Sequence, residues 1–433
     1  MSPITVGLIG FIVLFALFAI GLPVGVGMAI VGFGGLWYLI SFGAAIAKMG
    51  LTPFEVVANW DLATLPLFIL MAQVVFAAGL NEDLYNLTRK WLGHLRGGIA
   101  MATIGACAVF AAISASAVAT AATMGMVAVP EMKKCKYDPG LATGCIAAGG
   151  TIGVLIPPSG PFIIYGLLTG TSIGKLFIAG IVPGVLQAIF YIVTIYILCR
   201  RNPNFGPPGP RYSLRERVAA FWKCGEIIVL ILLILVGITV GWFTPTEGGA
   251  VGAFGAIVFS LFRRRLNWEK FKNALIETLK TSGMIYGILI GAFIFMYFMA
   301  VTTIPFALID FVSGLHLPPL GVMGCIIVLY VVLGSAMEEA SMMVLTIPIL
   351  FPLVVGLGFD PIWFGILTTR MEQIGMISPP VGITMFVTQG ISKEPITTIY
   401  RGVIPFLLAD VVHVALLVFV PSIALFLPGL MMR

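Results

Sequence analysis

Charge is scarce in this chain. Asp, Glu, Lys and Arg make up only 10% of its 433 residues, where soluble domains carry about 25%. That excludes an ordinary water-soluble domain. Histidine occurs three times, at His94, His316 and His413. Two of these fall in loops and the third in an apolar run, so a hydrolase built on Ser159, a remote alternative, has no evident base. The six cysteines (Cys107, Cys135, Cys145, Cys199, Cys224, Cys325) form no CxxC pair and read as small buried residues. No cluster of carboxylates or imidazoles has metal-ligand spacing. The sequence therefore reads as a protein that is not an enzyme and holds no catalytic or cofactor-binding residues.

What is abundant is hydrocarbon. Sixty per cent of the residues are hydrophobic, and uncharged runs of about 20 residues recur from end to end. The expected fold is an all-α polytopic membrane protein. The first apolar run, from Ile4, lacks a basic flank and an A-x-A-like site, so it is read as a retained span. The net charge of +6 is gathered into Arg89/Lys90/Arg96, Lys133/Lys134/Lys136, Arg200 to Lys223, Arg263 to Lys280, and Lys393/Arg401. That is positive-inside topology, not a nucleic-acid surface. With those clusters inside, both termini are expected on the outer face.

One motif occurs twice. Ile152–Gly153–Val154–Leu155–Ile156–Pro157–Pro158–Ser159–Gly160 returns as Ile374–Gly375–Met376–Ile377–Ser378–Pro379–Pro380–Val381–Gly382, with Pro157 and Pro379 222 residues apart. Pro23 and Pro245, and Pro130 and Pro352, keep the same separation. Each diproline breaks a helix at membrane depth, which strands backbone groups that something else must bind. Matched breaks in two halves are the sequence signature of a transporter's binding site.

The expected organisation is two inverted repeats. Residues 1–200 form the first, with a re-entrant hairpin near 97–130 and a broken helix near 140–168. Residues 201–224 are a cytoplasmic linker. Residues 225–433 form the second, with a hairpin near 318–357 and a broken helix near 362–390. The final span is expected near 402–427. An odd number of crossings per repeat inverts the second half. Hairpins and breaks suit occlusion better than a continuous pore, so a channel is disfavoured.

An unwound helix offers carbonyls to a cation and N–H groups to an anion. The first cage would set the break at Ile156–Pro157–Pro158–Ser159 against Ser114, Ser116 and Thr120. The second would set Ile377–Ser378–Pro379–Pro380 against Ser335, Glu338 and Ser341. Alternatively, each hydroxyl bonds its own helix backbone. Four ionisable groups lie at membrane depth: Glu338, Glu339, Arg370 and Glu372. Arg370 either clamps a substrate carboxylate or pairs internally with Glu338, Glu339 or Glu372. Candidate substrate contacts are thus Arg370, Ser159, Glu339 and Glu372. Glu247, after Thr244–Pro245–Thr246, reads as a helix cap.

Gly150–Thr151–Ile152–Gly153–Val154–Leu155–Ile156–Pro157–Pro158–Ser159, Ile173–Gly174–Lys175–Leu176–Phe177–Ile178–Ala179–Gly180, Phe243–Thr244–Pro245–Thr246–Glu247 and Ile377–Ser378–Pro379–Pro380–Val381–Gly382 together resemble the large permease subunit of TRAP (tripartite ATP-independent periplasmic) transporters, the DctM-like subunit. The resemblance implies elevator-type ion-transporter architecture and sodium-driven uptake of an organic acid across the bacterial cytoplasmic (inner) membrane. It also implies two partners: a small four-helix membrane subunit and a periplasmic substrate-binding protein. Sodium sites carried over from the family fall on Ser114, Ser116, Thr151, Gly153, Ile156 and Pro157, and near Ser335, Glu338, Gly375 and Ser378. The chain departs from the family at both tips. The first reads Ser114–Ala115–Ser116–Ala117 where Ser-Gly-Ser-Ser is usual, and the second has two adjacent acids. A stand-alone sodium-coupled anion symporter of similar architecture is the alternative, which the Thr244–Glu247 turn disfavours.

Overall fold

The computed structural model describes residues 1–431, and these are helical or looped, with no strand among them. The first half contains α1 (Pro3–Ala19), α2 (Val24–Leu39), α3 (Phe42–Val57), α4 (Thr64–Ala77), α5 (Leu80–Leu92), α6 (Gly98–Ser114), α7 (Ala117–Lys134), α8 (Pro139–Thr151), α9 (Gly160–Thr169) and α10 (Ile173–Arg201). The second contains α11 (Leu214–Val240), α12 (Pro245–Phe262), α13 (Trp268–Thr302), α14 (Ile304–Gly314), α15 (Pro319–Ala336), α16 (Glu339–Gly356), α17 (Pro361–Met376), α18 (Ile383–Ser392), α19 (Ile396–Phe419) and α20 (Ser422–Met431). Among the described residues, eight helical segments are long and apolar enough to cross a membrane.

The repeat extends to the ends of elements. α7 starts at 117 and α16 at 339; α8 starts at 139 and α17 at 361. Both broken helices open on Asp-Pro, at Asp138–Pro139 and Asp360–Pro361, and each Asp side chain accepts first-turn N–H groups. Contacts are paired in the same way. α7 lies on α18 as α9 lies on α16, and α2 lies on α13 as α12 lies on α4. The two halves therefore interlock about a pseudo-two-fold axis.

α2, α4, α12 and α13 form one bundle, pinned by the buried Thr64–Thr246 hydroxyl pair at 2.7 Å. The hairpins α6–α7 and α15–α16, the broken helices α8–α9 and α17–α18, and α10 and α19 form the other. α8 crosses α19 so closely that a Cβ on Gly144 would overlap the Gly402 carbonyl. That contact requires glycine.

Several elements were not foreseen. α3, α5 and α14 are short helices beside the spans, and α3 and α5 carry polar residues along one side. The last span is not continuous over 402–427. It stops at Phe419, and α20 begins after Pro421, which has no N–H with which to extend α19. The linker is shorter than 201–224, because a Ser213–Glu216 capping box starts α11 at Leu214. The rest is tied down by backbone bonds: Gly97 N–H to Gly206 O (2.7 Å), Gly209 N–H to Gly93 O (2.8 Å) and Asp138 N–H to Phe205 O (3.0 Å). Glu247 is a cap, as expected. Its carboxylate accepts from the Thr244 N–H and hydroxyl at 2.8 and 3.0 Å.

Candidate functional site

The first hairpin turns over three residues. α6 ends at Ser114, Ala115 adopts a left-handed φ of 52°, and the Ser116 hydroxyl caps α7 at the Ala119 N–H (3.4 Å). Ser114 and Thr120 hydroxyls lie 2.5 Å apart, and Thr120 Oγ1 donates to Ser116 O at 2.8 Å. This oxygen cluster rests on the first break. A Cβ on Gly153 would stand 2.6 Å from Thr120 Oγ1 and 2.9 Å from Ser116 O. Ser114, Ser116, Thr120 and Gly153 thus come together.

Other first-half candidates serve the break itself. Ser159 is fully buried; its hydroxyl donates to Val154 O at 2.5 Å and accepts the Phe162 N–H. It bridges the two half-helices. Ile156 and Pro157 are buried there, and Pro157–Pro158 is cis, as is Pro379–Pro380. Thr151 turns away from the tip. Its hydroxyl bonds Ala148 O at 2.7 Å and receives Gln187 Nε2 of α10 at 3.4 Å.

The second half uses a different contact. Break two lies on the incoming hairpin arm: a Cβ on Gly375 would sit 2.5 Å from the Gly334 carbonyl carbon and 2.9 Å from Ser335 N. The Gly382 N–H donates to Ser335 O at 2.9 Å. The Ser335 and Ser378 hydroxyls bond carbonyls of their own helices, Val332 O at 2.8 Å and Ile374 O at 2.6 Å. Glu338 is the residue before α16 and accepts the Ser341 hydroxyl at 3.4 Å. Glu339 reaches the other tip, where its Oε1 accepts the Ala117 N–H at 3.3 Å.

Both tips border one cavity of about 460 Å³. Its walls are α4, α13, the first turn of α9 and the two tips, and its charged lining residues are Glu338 and Glu339. Ser114, Ser116, Gln73 and Thr281 add polar atoms. The cavity thus lies between the hairpin-bearing bundle and the α2–α4–α12–α13 bundle.

Arg370 does not reach this cavity's lining. It is fully buried, with Nε donating to His413 Nδ1 at 2.9 Å and Nη1 to Gln373 Oε1 at 2.8 Å, and Nη2 paired with Asp410. The internal pair is therefore with Asp410 of α19 instead of Glu338, Glu339 or Glu372. Glu372 stands roughly 200° around α17 from Arg370. It is buried beside Tyr330 and the two tip glutamates, and neither carboxylate oxygen has a hydrogen-bond partner. Asp410 and His413 were missed as a site. Their signal was visible: an acid and an imidazole three apart inside an otherwise apolar run.

Comparison with known proteins agrees with this architecture. The sequence profile of the "Tripartite ATP-independent periplasmic transporter, DctM component" matches residues 11–423. The "C4-dicarboxylate TRAP transporter large permease protein DctM" of Pseudomonas aeruginosa is 34% identical over 397 residues, 92% of each chain. The "Isethionate TRAP transporter permease protein DctMQ" of Oleidesulfovibrio alaskensis is 34% identical over 420 residues, covering 96% of this chain and 66% of that protein. The crystal structure of the Alcanivorax borkumensis YdaH transporter shares the fold, with a TM-score of 0.58 at 14% identity over 89% of this chain and 88% of that one. With a profile spanning nearly the whole sequence, close agreement in length with a large permease and a fold of two interlocked repeats, this chain belongs to the DctM component family of tripartite ATP-independent periplasmic transporters.

Proposed function

We propose that this permease moves an organic acid into the cell, driven by sodium and supplied by a periplasmic substrate-binding protein. The cavity between the two hairpin tips carries this reading. It is bordered by the oxygen-rich tip at Ser114–Ser116 and by Glu338 and Glu339. Sodium at Ser114, Ser116, Gly153, Ile156 and Pro157, with Thr151 supporting the turn, would close the first tip onto its break. Sodium at Ser335, Glu338, Gly375 and Ser378 would close the second and offset the two glutamates. The acid then occupies the cavity, bordered by Glu339, with Ser159 holding the first break, Glu372 buried outside the cavity lining and Arg370 fixing α17 behind it.

The hairpins, broken helices, α10 and α19 would travel as one elevator body against the α2–α4–α12–α13 bundle. A small four-helix membrane subunit would extend the stationary bundle within the inner membrane. The isethionate relative is longer than this chain and is named DctMQ, which supports a partner that is fused in some relatives and separate in others.

The deciding experiment is uptake of a labelled C4-dicarboxylate, and of isethionate, into proteoliposomes holding the permease, its small subunit and its binding protein. Uptake that stops when choline replaces sodium supports the reading. Equal uptake in choline overturns the sodium drive, and transport by the permease alone overturns the three-component arrangement.

A further inference from the structure

Between the two helix breaks the protein interior holds one row of polar side chains, hydrogen-bonded except where Tyr191 meets Asp410. It starts at Thr151, in the last turn before the first break. Gln187 Nε2 reaches Thr151 Oγ1 at 3.4 Å and the Tyr191 hydroxyl at 3.2 Å. Tyr191 lies beside Asp410 and Arg370. Asp410 pairs with Arg370, and Arg370 Nη1 donates to Gln373 Oε1 at 2.8 Å. Gln373 is in the last turn before the second break. All six residues are fully buried.

The ends of this chain are equivalent positions. Thr151 and Gln373 are 222 residues apart, as are Tyr191 and His413, which takes the Arg370 Nε–H. The chain therefore runs from one break, across the pseudo-two-fold axis, to the matching point of the other. Four atoms along it are buried without partners: Gln187 Oε1, Gln373 Nε2, Asp410 Oδ2 and His413 Nε2. Tyr191 accepts from Gln187 and so keeps its own proton to offer, while Asp410 Oδ2 is free to take one. Spare donors and acceptors give the network more than one arrangement, which a buried coupling element needs.

We propose that Gln187, Tyr191, Arg370, Asp410, His413 and Gln373 are positioning residues that couple the two breaks, so that ordering one orders the other. The coupling rests on ion binding at the breaks for its use in transport, but its existence is testable without an ion. Tyr191→Phe removes one oxygen from the middle of the chain and keeps the ring packed on Phe406.

The test is hydrogen–deuterium exchange on the purified permease, wild type against Tyr191→Phe, with Gln187→Met as a second cut. Exchange at least threefold faster at both 152–156 and 374–378, with α1 and α2 unchanged, supports the proposal. Change at one break only, or at neither, overturns it. Repeating the measurement in sodium and in choline separates the two claims. A wild type that sodium does not protect sinks the sodium reading while the exchange comparison still stands. If sodium does protect the wild type, the half-protecting concentration should rise at least threefold in Tyr191→Phe, and an unchanged value counts against coupling.

Discussion

Ala117 and Glu339 hold the same place in the two repeats, and they touch. They are 222 residues apart, and the Ala117 N–H donates to Glu339 Oε1 at 3.3 Å. Contact between equivalent residues puts the pseudo-two-fold axis between the hairpin tips, at the edge of the cavity. The repeat is broken at that same point, since a methyl faces a carboxylate.

Replacing Glu339 separates two roles. Glu339→Gln keeps an oxygen for Ala117 and should leave the melting temperature close to wild type. Glu339→Ala strands a buried N–H and should cost about 1–3 kcal/mol. Thermal unfolding in detergent measures both, and equal melting temperatures for the two variants would show that the tip-to-tip bond does not hold the structure.

Gly375→Ala should abolish uptake. The added methyl would meet backbone atoms of Gly334 and Ser335 at 2.5 to 2.9 Å, and backbone cannot rotate aside. The hairpin tip must lift from its break. Gly153→Ala meets Thr120 Oγ1 at 2.6 Å, a side chain that can turn, and the Ser116 carbonyl oxygen at 2.9 Å, so it should push the first tip off its break less severely, weakening sodium protection without abolishing uptake. Uptake and sodium-dependent melting distinguish these outcomes; full activity in Gly375→Ala would refute the close packing.

Removing one partner of the Arg370–Asp410 pair should destabilise by about 3–5 kcal/mol, because the other charge stays buried. Arg370→Met and Asp410→Leu should each lower the melting temperature sharply, and the double variant should recover most of it. Arg370→Lys cannot reproduce the three-way donation to His413, Gln373 and Asp410 and should behave like a partial loss. A double variant no better than either single one would count against this pairing.

The Glu247 carboxylate accepts from the Thr244 N–H and hydroxyl, and protonating it would weaken both bonds. Protection of the first-turn amides of α12 should therefore fade in acid in the wild type. In Glu247→Gln it should already be lower at neutral pH and change less, judged by exchange after correction for intrinsic rates.

Much of this arrangement was legible in the sequence, for a physical reason. Diprolines at membrane depth have few uses, so Pro157 and Pro379 marked the breaks, and the constant separation located both tips. Hydropathy could not reveal α3, α5 or α14, which are too short or too polar to span. Nor could it choose Arg370's partner. The acids nearest in sequence were the natural candidates, but Asp410 belongs to a helix 40 residues further on that crosses α17 only in the fold. The same applies to the arm each break touches. Periodicity places a tip and a break together without saying which side of the tip makes contact.

The backbone ties beneath the first hairpin have their own consequence for sequence change. Every residue has a carbonyl and every residue but proline an N–H, so the bonds from Phe205, Gly206 and Gly209 to Asp138, Gly97 and Gly93 do not depend on side chains. Most of residues 202–213 should accept substitution freely. The exceptions are Gly206, where a Cβ would press on Cys199 Sγ and Gly97 Cα at 2.8 Å, Gly209, where it would press on the Gly93 carbonyl oxygen at 2.8 Å, and Ser213, whose hydroxyl caps α11. Length is another matter. One residue more or less between Arg201 and Phe205 would slip the bonds at both feet of the hairpin together. The segment is tolerant of spelling and intolerant of count.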